Sequence, residues 1–175
     1  MTPPEEIIIQ KSVLLKTSSQ RLYQLLRNFE NFPYLLDFLE NAIVIDKSHY
    51  RLTARISDEQ ERIIWDVEIV REMEHDFFEW HSSGSTDILH EGNVRFTHNS
   101  QLKGTVMSLQ LRFYFPTLND SRSSMLGEDF ENRIQDNLLR FKQAVEANEF
   151  PRPRDNKNDI PEGFSTDNGP WRNFL

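Results

Sequence analysis

The chain has 175 residues, with 20 basic and 28 acidic side chains, 13 Phe and no cysteine. That length fits one domain with some extra chain. A net charge of −8 argues against sequence-independent nucleic-acid binding and against broad adsorption to anionic membranes. The missing cysteines exclude disulfides, thiolate metal sites and a cysteine nucleophile.

Segment 6–15 (EIIIQKSVLL) is β-branched and aliphatic, which predicts a strand. Thr17-Ser18-Ser19 then offers a side-chain oxygen to cap a helix. Leu22, Leu25, Leu26 and Phe29 follow at i, i+3, i+4 and i+7, one apolar helix face, which Pro33 is expected to stop. A second short turn is expected from Tyr34 to Leu39. From residue 41 the period changes to two. Leu52, Ala54 and Ile56 alternate with Arg51, Thr53 and Arg55, and Ile63, Trp65, Val67 and Ile69 alternate with Ile64, Asp66, Glu68 and Val70. Phe78 and Trp80, Val94 and Phe96, and Met107, Leu109, Leu111 and Phe113 continue the pattern. Such alternation predicts half-buried strands of an antiparallel sheet. Asp46-Lys47-Ser48, Ser57-Asp58, Ser82–Ser85 and Asn99-Ser100 supply hairpin turns. Leu126, Phe130, Ile134, Leu138, Phe141 and Val145 step by three or four, the face of a long closing helix. Strand, short helices, a run of strands and a long helix predict an α+β domain with a curved sheet around the helix.

Composition shifts after Glu149. Residues 150–175 hold four of the 8 prolines, and their charges cancel, so the whole negative charge sits on 1–149. The expected division is a folded domain over 1–149 and an irregular Pro/Gly-containing tail over 150–175 ending in GPWRNFL. MTPPEEIIIQ has neither a basic n-region nor a long apolar run, and no stretch approaches ~20 apolar residues. No secretory signal or spanning segment is expected. The expected location is cytoplasmic, with a peripheral membrane contact as an option.

Six pieces resemble a known family in order and spacing: FENFPYLLDFLENA (29–42), IIWDVEI (63–69), FFEWHSSGS (77–85), EGNVRFT (91–97), KGTVMSLQLRFYFP (103–116) and LLRFKQAVE (138–146). The chain resembles the START-like (SRPBCC) superfamily, and within it the polyketide cyclase/dehydrase and coenzyme-Q-binding START-domain family, over residues 5–149. It departs where the family often places two prolines: here Phe115 precedes Pro116. The resemblance implies a helix-grip fold: a curved antiparallel sheet of six or seven strands wrapped around a long C-terminal helix, with two short helices after the first strand. It also implies a cavity between that helix and the concave sheet.

Periodicity places Leu52, Trp65, Val67, Phe78, Trp80, Phe96, Met107, Leu109, Leu111 and Phe113 on the inward face, with Phe130, Ile134 and Leu138 from the helix. Such an apolar, aromatic lining suits a hydrophobic small molecule, a quinone or other lipid or a polyaromatic. The same residues also suit a filled core. Phe32, Pro33, Tyr34 and Leu36 are expected at the cavity mouth, as packing or as a lid or membrane touch-down, with Leu118 and Met125 on the facing rim. By register Arg51, Arg55, Asp66, Glu68, Glu79, Arg95 and Arg112 point outward and form a solvated face. The inward face therefore offers little for catalysis. His98, which continues the parity of Val94 and Phe96, is the one weak catalytic candidate. His81 and His90 could meet across a hairpin, yet without a third ligand they make a poor metal site. No cofactor, metal or nucleic-acid partner is expected. A binder or carrier is favoured. The alternatives are an aromatase/cyclase-like enzyme on a polyketide-type substrate and a regulatory protein-interaction domain using the tail.

Overall fold

A computed structural model describes residues 5–55, 62–84, 89–115 and 130–149. The chain runs β1 (Glu5–Leu15), α1 (Ser19–Arg27), a 3-10 turn (Phe29–Asn31), α2 (Phe32–Leu35), then six more strands. These are β2 (Leu39–Val44), β3 (His49–Arg55), β4 (Arg62–Met73), β5 (Phe77–Ser83), β6 (Leu89–Asn99) and β7 (Gly104–Phe115), and α3 (Phe130–Glu146) follows. The strands form one antiparallel sheet in the order β1-β7-β6-β5-β4-β3-β2. The sheet curls around α3, with the short helices after the first strand, as the helix-grip expectation required.

Alternation sets which face is dry. The strands of the run bury mainly one parity, with Thr53 and Phe77 buried from the other, which otherwise carries ion pairs. Arg51 meets Asp66 at 2.8 Å, Arg71 meets Glu79 at 3.3 Å, and Arg112 lies 3.2 Å from Glu6. These pairs are exposed, and each adds at most about 1 kcal/mol. A register shift between Ile69 and Arg71 bends β4, but it lies beyond Trp65 and Val67 and leaves their inward parity intact.

Local chemistry explains the helices. Ser18 Oγ accepts from Arg21 N at 3.1 Å, capping α1 as its hydroxyl predicts. The helix ends before Pro33, which corrects the expected stop. Asn28 caps the following turn through its side chain, and Pro33 sits in the first turn of α2, where its missing N–H is no loss. The second turn expected over Tyr34–Leu39 is correspondingly earlier, and Leu39 already belongs to β2. α1 is clamped to the sheet. Arg27 donates to Glu72 Oε2 at 2.5 Å and to Tyr50 Oη at 2.8 Å, and Tyr23 Oη donates to Glu72 at 2.7 Å. Burial, then the Glu72 carboxylate, pushes the Tyr23 hydroxyl up to about 12. α3 is tied to β1 by Lys142 Nζ, which donates to the Leu14 carbonyl at 2.7 Å. The expected helix start at Leu126, the turn at Ser57-Asp58, the rim residues Leu118 and Met125, and the tail 150–175 lie outside the described residues.

Candidate ligand-binding site

The concave face is built from β3 to β7 beneath α3. Leu52, Trp65, Val67, Phe78, Trp80, Phe96, Met107, Leu109, Leu111 and Phe113 are all buried on it, and Phe130, Ile134 and Leu138 are buried on α3. The inward register drawn from alternation is therefore the one observed. Among the described residues no Lys, Arg, Asp or Glu is buried.

These side chains gather in two aromatic groups. Around Trp80, Phe29 and Phe32 stack 4.1 Å apart and meet the indole edge-on at 5.2 and 5.4 Å. Phe78 closes this group 5.8 Å from Trp80. Around Phe113, Phe130 lies at 6.1 Å and Phe38 at 6.2 Å. The first group includes Phe32 from the expected cavity mouth. Phe32 and Leu36 are core residues, 1% and 2% exposed, because the turn after α1 folds onto the sheet instead of standing at its rim. Pro33 and Tyr34 are half-buried.

His90 joins the two groups. It stacks on Phe113 at 4.4 Å, its partner across the β6–β7 ladder. Its Nε2 accepts from Trp80 Nε1 at 2.9 Å, so the proton sits on Nδ1, which donates to the Arg112 carbonyl at 3.0 Å. Burial pushes the imidazole down to about 4, against the pull of that carbonyl. The ring is neutral and both its nitrogens are used. Gly92 makes room for the arrangement, since a Cβ there would stand 2.1 Å from the Trp80 ring. This glycine sits within β6, opposite Trp80 in the ladder, and not at a turn or strand start.

Trp65 differs from Trp80. Its indole is as buried, at 2% exposed, yet its Nε1 has no hydrogen-bond partner among the described residues. Its ring lies edge-on to His90 at 6.1 Å. A buried donor left unmade costs about 1–3 kcal/mol. On α3, Asn137 is 3% exposed with its Nδ2 also unpartnered.

Two histidine expectations change. His98 is exposed at the end of β6 and not part of the buried lining. His81 is exposed and pairs in register with Glu91, leaving His90 on the opposite face. Among the described residues no cluster of His, Asp and Glu could hold a metal. A surface cleft of about 430 Å³ lies elsewhere, lined by Asp37, Arg133, Asp136, Leu139, Arg140 and Gln143. Asp37 pairs with both arginines there, at 3.1 Å from Arg133 and 3.5 Å from Arg140.

Comparison with solved structures gives the fold the same standing as the topology does. The Deinococcus radiodurans protein DR_A0006 superposes with a TM-score of 0.69 at 20% identity, covering 81% of this chain and 98% of that one. A START superfamily protein from Mycobacterium smegmatis matches with a TM-score of 0.57 at 13% identity, over 81% and 95%. The di-domain ARO/CYC protein StfQ from the steffimycin biosynthetic pathway matches with a TM-score of 0.57 at 12% identity. That match covers 82% of this chain, which spans 52% of StfQ. No family model matches the sequence, and no curated protein sequence matches it. The chain has a helix-grip fold, which these solved structures share. No helix among the described residues is long and apolar enough to cross a membrane.

Proposed function

We propose that the protein binds and carries a hydrophobic small molecule, a quinone or other lipid, between the concave face of the sheet and α3. The observation that supports this reading is the chemistry of that face: large apolar and aromatic side chains, no buried charge among the described residues, and one neutral histidine whose two nitrogens are both engaged. Such a wall favours a neutral apolar guest. It offers a poor setting for acid/base chemistry, because His90 would first have to break its bond to Trp80. The fold neighbours include a START superfamily protein and ARO/CYC proteins. A cyclase would need a base with a free lone pair on this face, and the described residues present none. Phe32 and Leu36 are core residues, so of the expected mouth residues Pro33 and Tyr34 are the two with exposed surface.

Native mass spectrometry of gently purified protein, followed by organic extraction, tests the reading. The expected result is a stoichiometric apolar molecule released on denaturation. Protein that is empty as purified, and that takes up nothing from a panel of quinones and lipids, would overturn it.

A further inference from the structure

Resting on the reading that the concave face takes an apolar guest, we propose that Trp65 is the anchor that selects among such guests. Its indole N–H takes a neutral molecule carrying an acceptor oxygen, of the ketone or ester class, over a hydrocarbon or a carboxylate of the same shape.

The contrast between the two tryptophans carries the inference. Trp65 and Trp80 share one face of one sheet and the same burial. Trp80 has a dedicated acceptor in His90. Trp65 has none. His90 cannot serve both, since its Nε2 is taken by Trp80 and its Nδ1–H is a donor. Buried indole N–H groups ordinarily find a partner. Among the described residues one donor is satisfied and its neighbour is left open, which is the position an acceptor on a bound guest would fill.

Asn137 on α3 gives a second buried donor without a partner among the described residues. Its Oδ1 accepts from an Arg140 guanidinium nitrogen, and guanidinium only donates. The amide oxygen therefore faces Arg140, which leaves Nδ2 as the buried, unpartnered atom. The open polar atoms on Trp65 and Asn137 are thus both donors. Donors without buried cations favour a carbonyl lone pair over an ionised group. A carboxylate would lose its hydration and gain no counter-ion. A hydrocarbon would gain the apolar contact and leave the indole N–H unmade.

Three isosteric probes test this by isothermal titration calorimetry: 2-acetylnaphthalene, 2-isopropenylnaphthalene and 2-naphthoate. Wild-type protein is expected to bind the ketone about five- to tenfold tighter than the hydrocarbon, the size of one buried neutral hydrogen bond, with the carboxylate weakest. In Trp65→Phe the ketone should lose that advantage, while the hydrocarbon stays within about twofold of its wild-type affinity. Equal weakening of ketone and hydrocarbon would reduce Trp65 to a piece of apolar wall and overturn the proposal. So would tightest binding of the carboxylate. Wild-type protein that binds none of the three would instead sink the apolar-guest reading itself. Should Trp65→Phe fail to fold, ¹⁵N-labelled wild-type protein gives the same decision. The Trp65 indole N–H resonance should move downfield with the ketone and not with the hydrocarbon. A resonance that stays put while the ketone binds overturns the anchor.

Discussion

His90 makes folding sensitive to acid, and the sign follows from its burial. The unfolded chain takes up a proton near the ordinary 6.5, while the folded state resists until about 4. The folded-state value is lowered, so the stability it contributes is complete above about pH 6.5 and is lost as pH falls towards 4. Between pH 7 and 4.5 that loss amounts to about 2 kcal/mol. Glu40, Asp66 and Glu72 are held below the usual carboxylate range, first by hydrogen bonds from Arg62, Arg51 and Arg27, and they also favour the folded state less at low pH. Comparing wild-type with His90→Gln cancels that shared part. Urea unfolding at the two pH values should show wild-type losing about 2 kcal/mol more than the variant. Equal losses would place the acid sensitivity elsewhere. His90 was legible in principle. Phe96, Val94 and Gly92 share its parity, and following that parity backwards along β6 reaches His90. Following it forwards reaches His98, where alternation fails because Thr97 and His98 are both exposed beside the hairpin. Trp65 and Trp80 were equally legible as inward residues. That one indole is paired and the other open depends on which side chain a neighbouring strand brings alongside, and no single-strand pattern contains that.

At the scale of elements, the strands and α3 follow from periodicity because each buries a single stripe or parity. The connection from Phe29 to Leu36 reads as an apolar cluster in the sequence. Its position does not, because whether such a cluster plugs the sheet or rims it depends on where α1 is held. The Arg27 clamp holds it: one guanidinium meets Glu72, Tyr50 and the Lys47 carbonyl. Arg27→Ala should therefore cost about 1–2 kcal/mol in urea unfolding, less than a fully buried pair because the Glu72 side chain is 40% exposed. In Glu72→Gln the same Arg27 substitution should cost measurably less. A single-mutant loss below about 0.5 kcal/mol would mean that packing of Phe29 and Phe32 alone positions α1.

For the molecule as a whole, we place the domain boundary after residue 149. The last described turn is bound back to the domain, with Asn148 in a left-handed conformation accepting from Arg21 Nη1 at 3.0 Å. That contact ties the end of α3 to the start of α1. A chain of residues 1–149 should unfold cooperatively within about 2 °C of the full-length midpoint by circular dichroism. A drop beyond about 5 °C, equivalent to roughly 1.5 kcal/mol, would show that 150–175 packs on the domain.

The pairing of β1 with β7 orders events during synthesis. Ile9 meets Leu111 across a separation of roughly one hundred residues, so the first strand made must wait for the last. Closing so large a loop precedes the gain from the contacts it brings, which slows folding. Until β7 leaves the ribosome, EIIIQKSVLL is an apolar strand with an open edge, the part of a nascent chain most exposed to pairing with a neighbour. The lysine within it, Lys11, and the Glu5-Glu6 pair at its start place charge along that waiting edge.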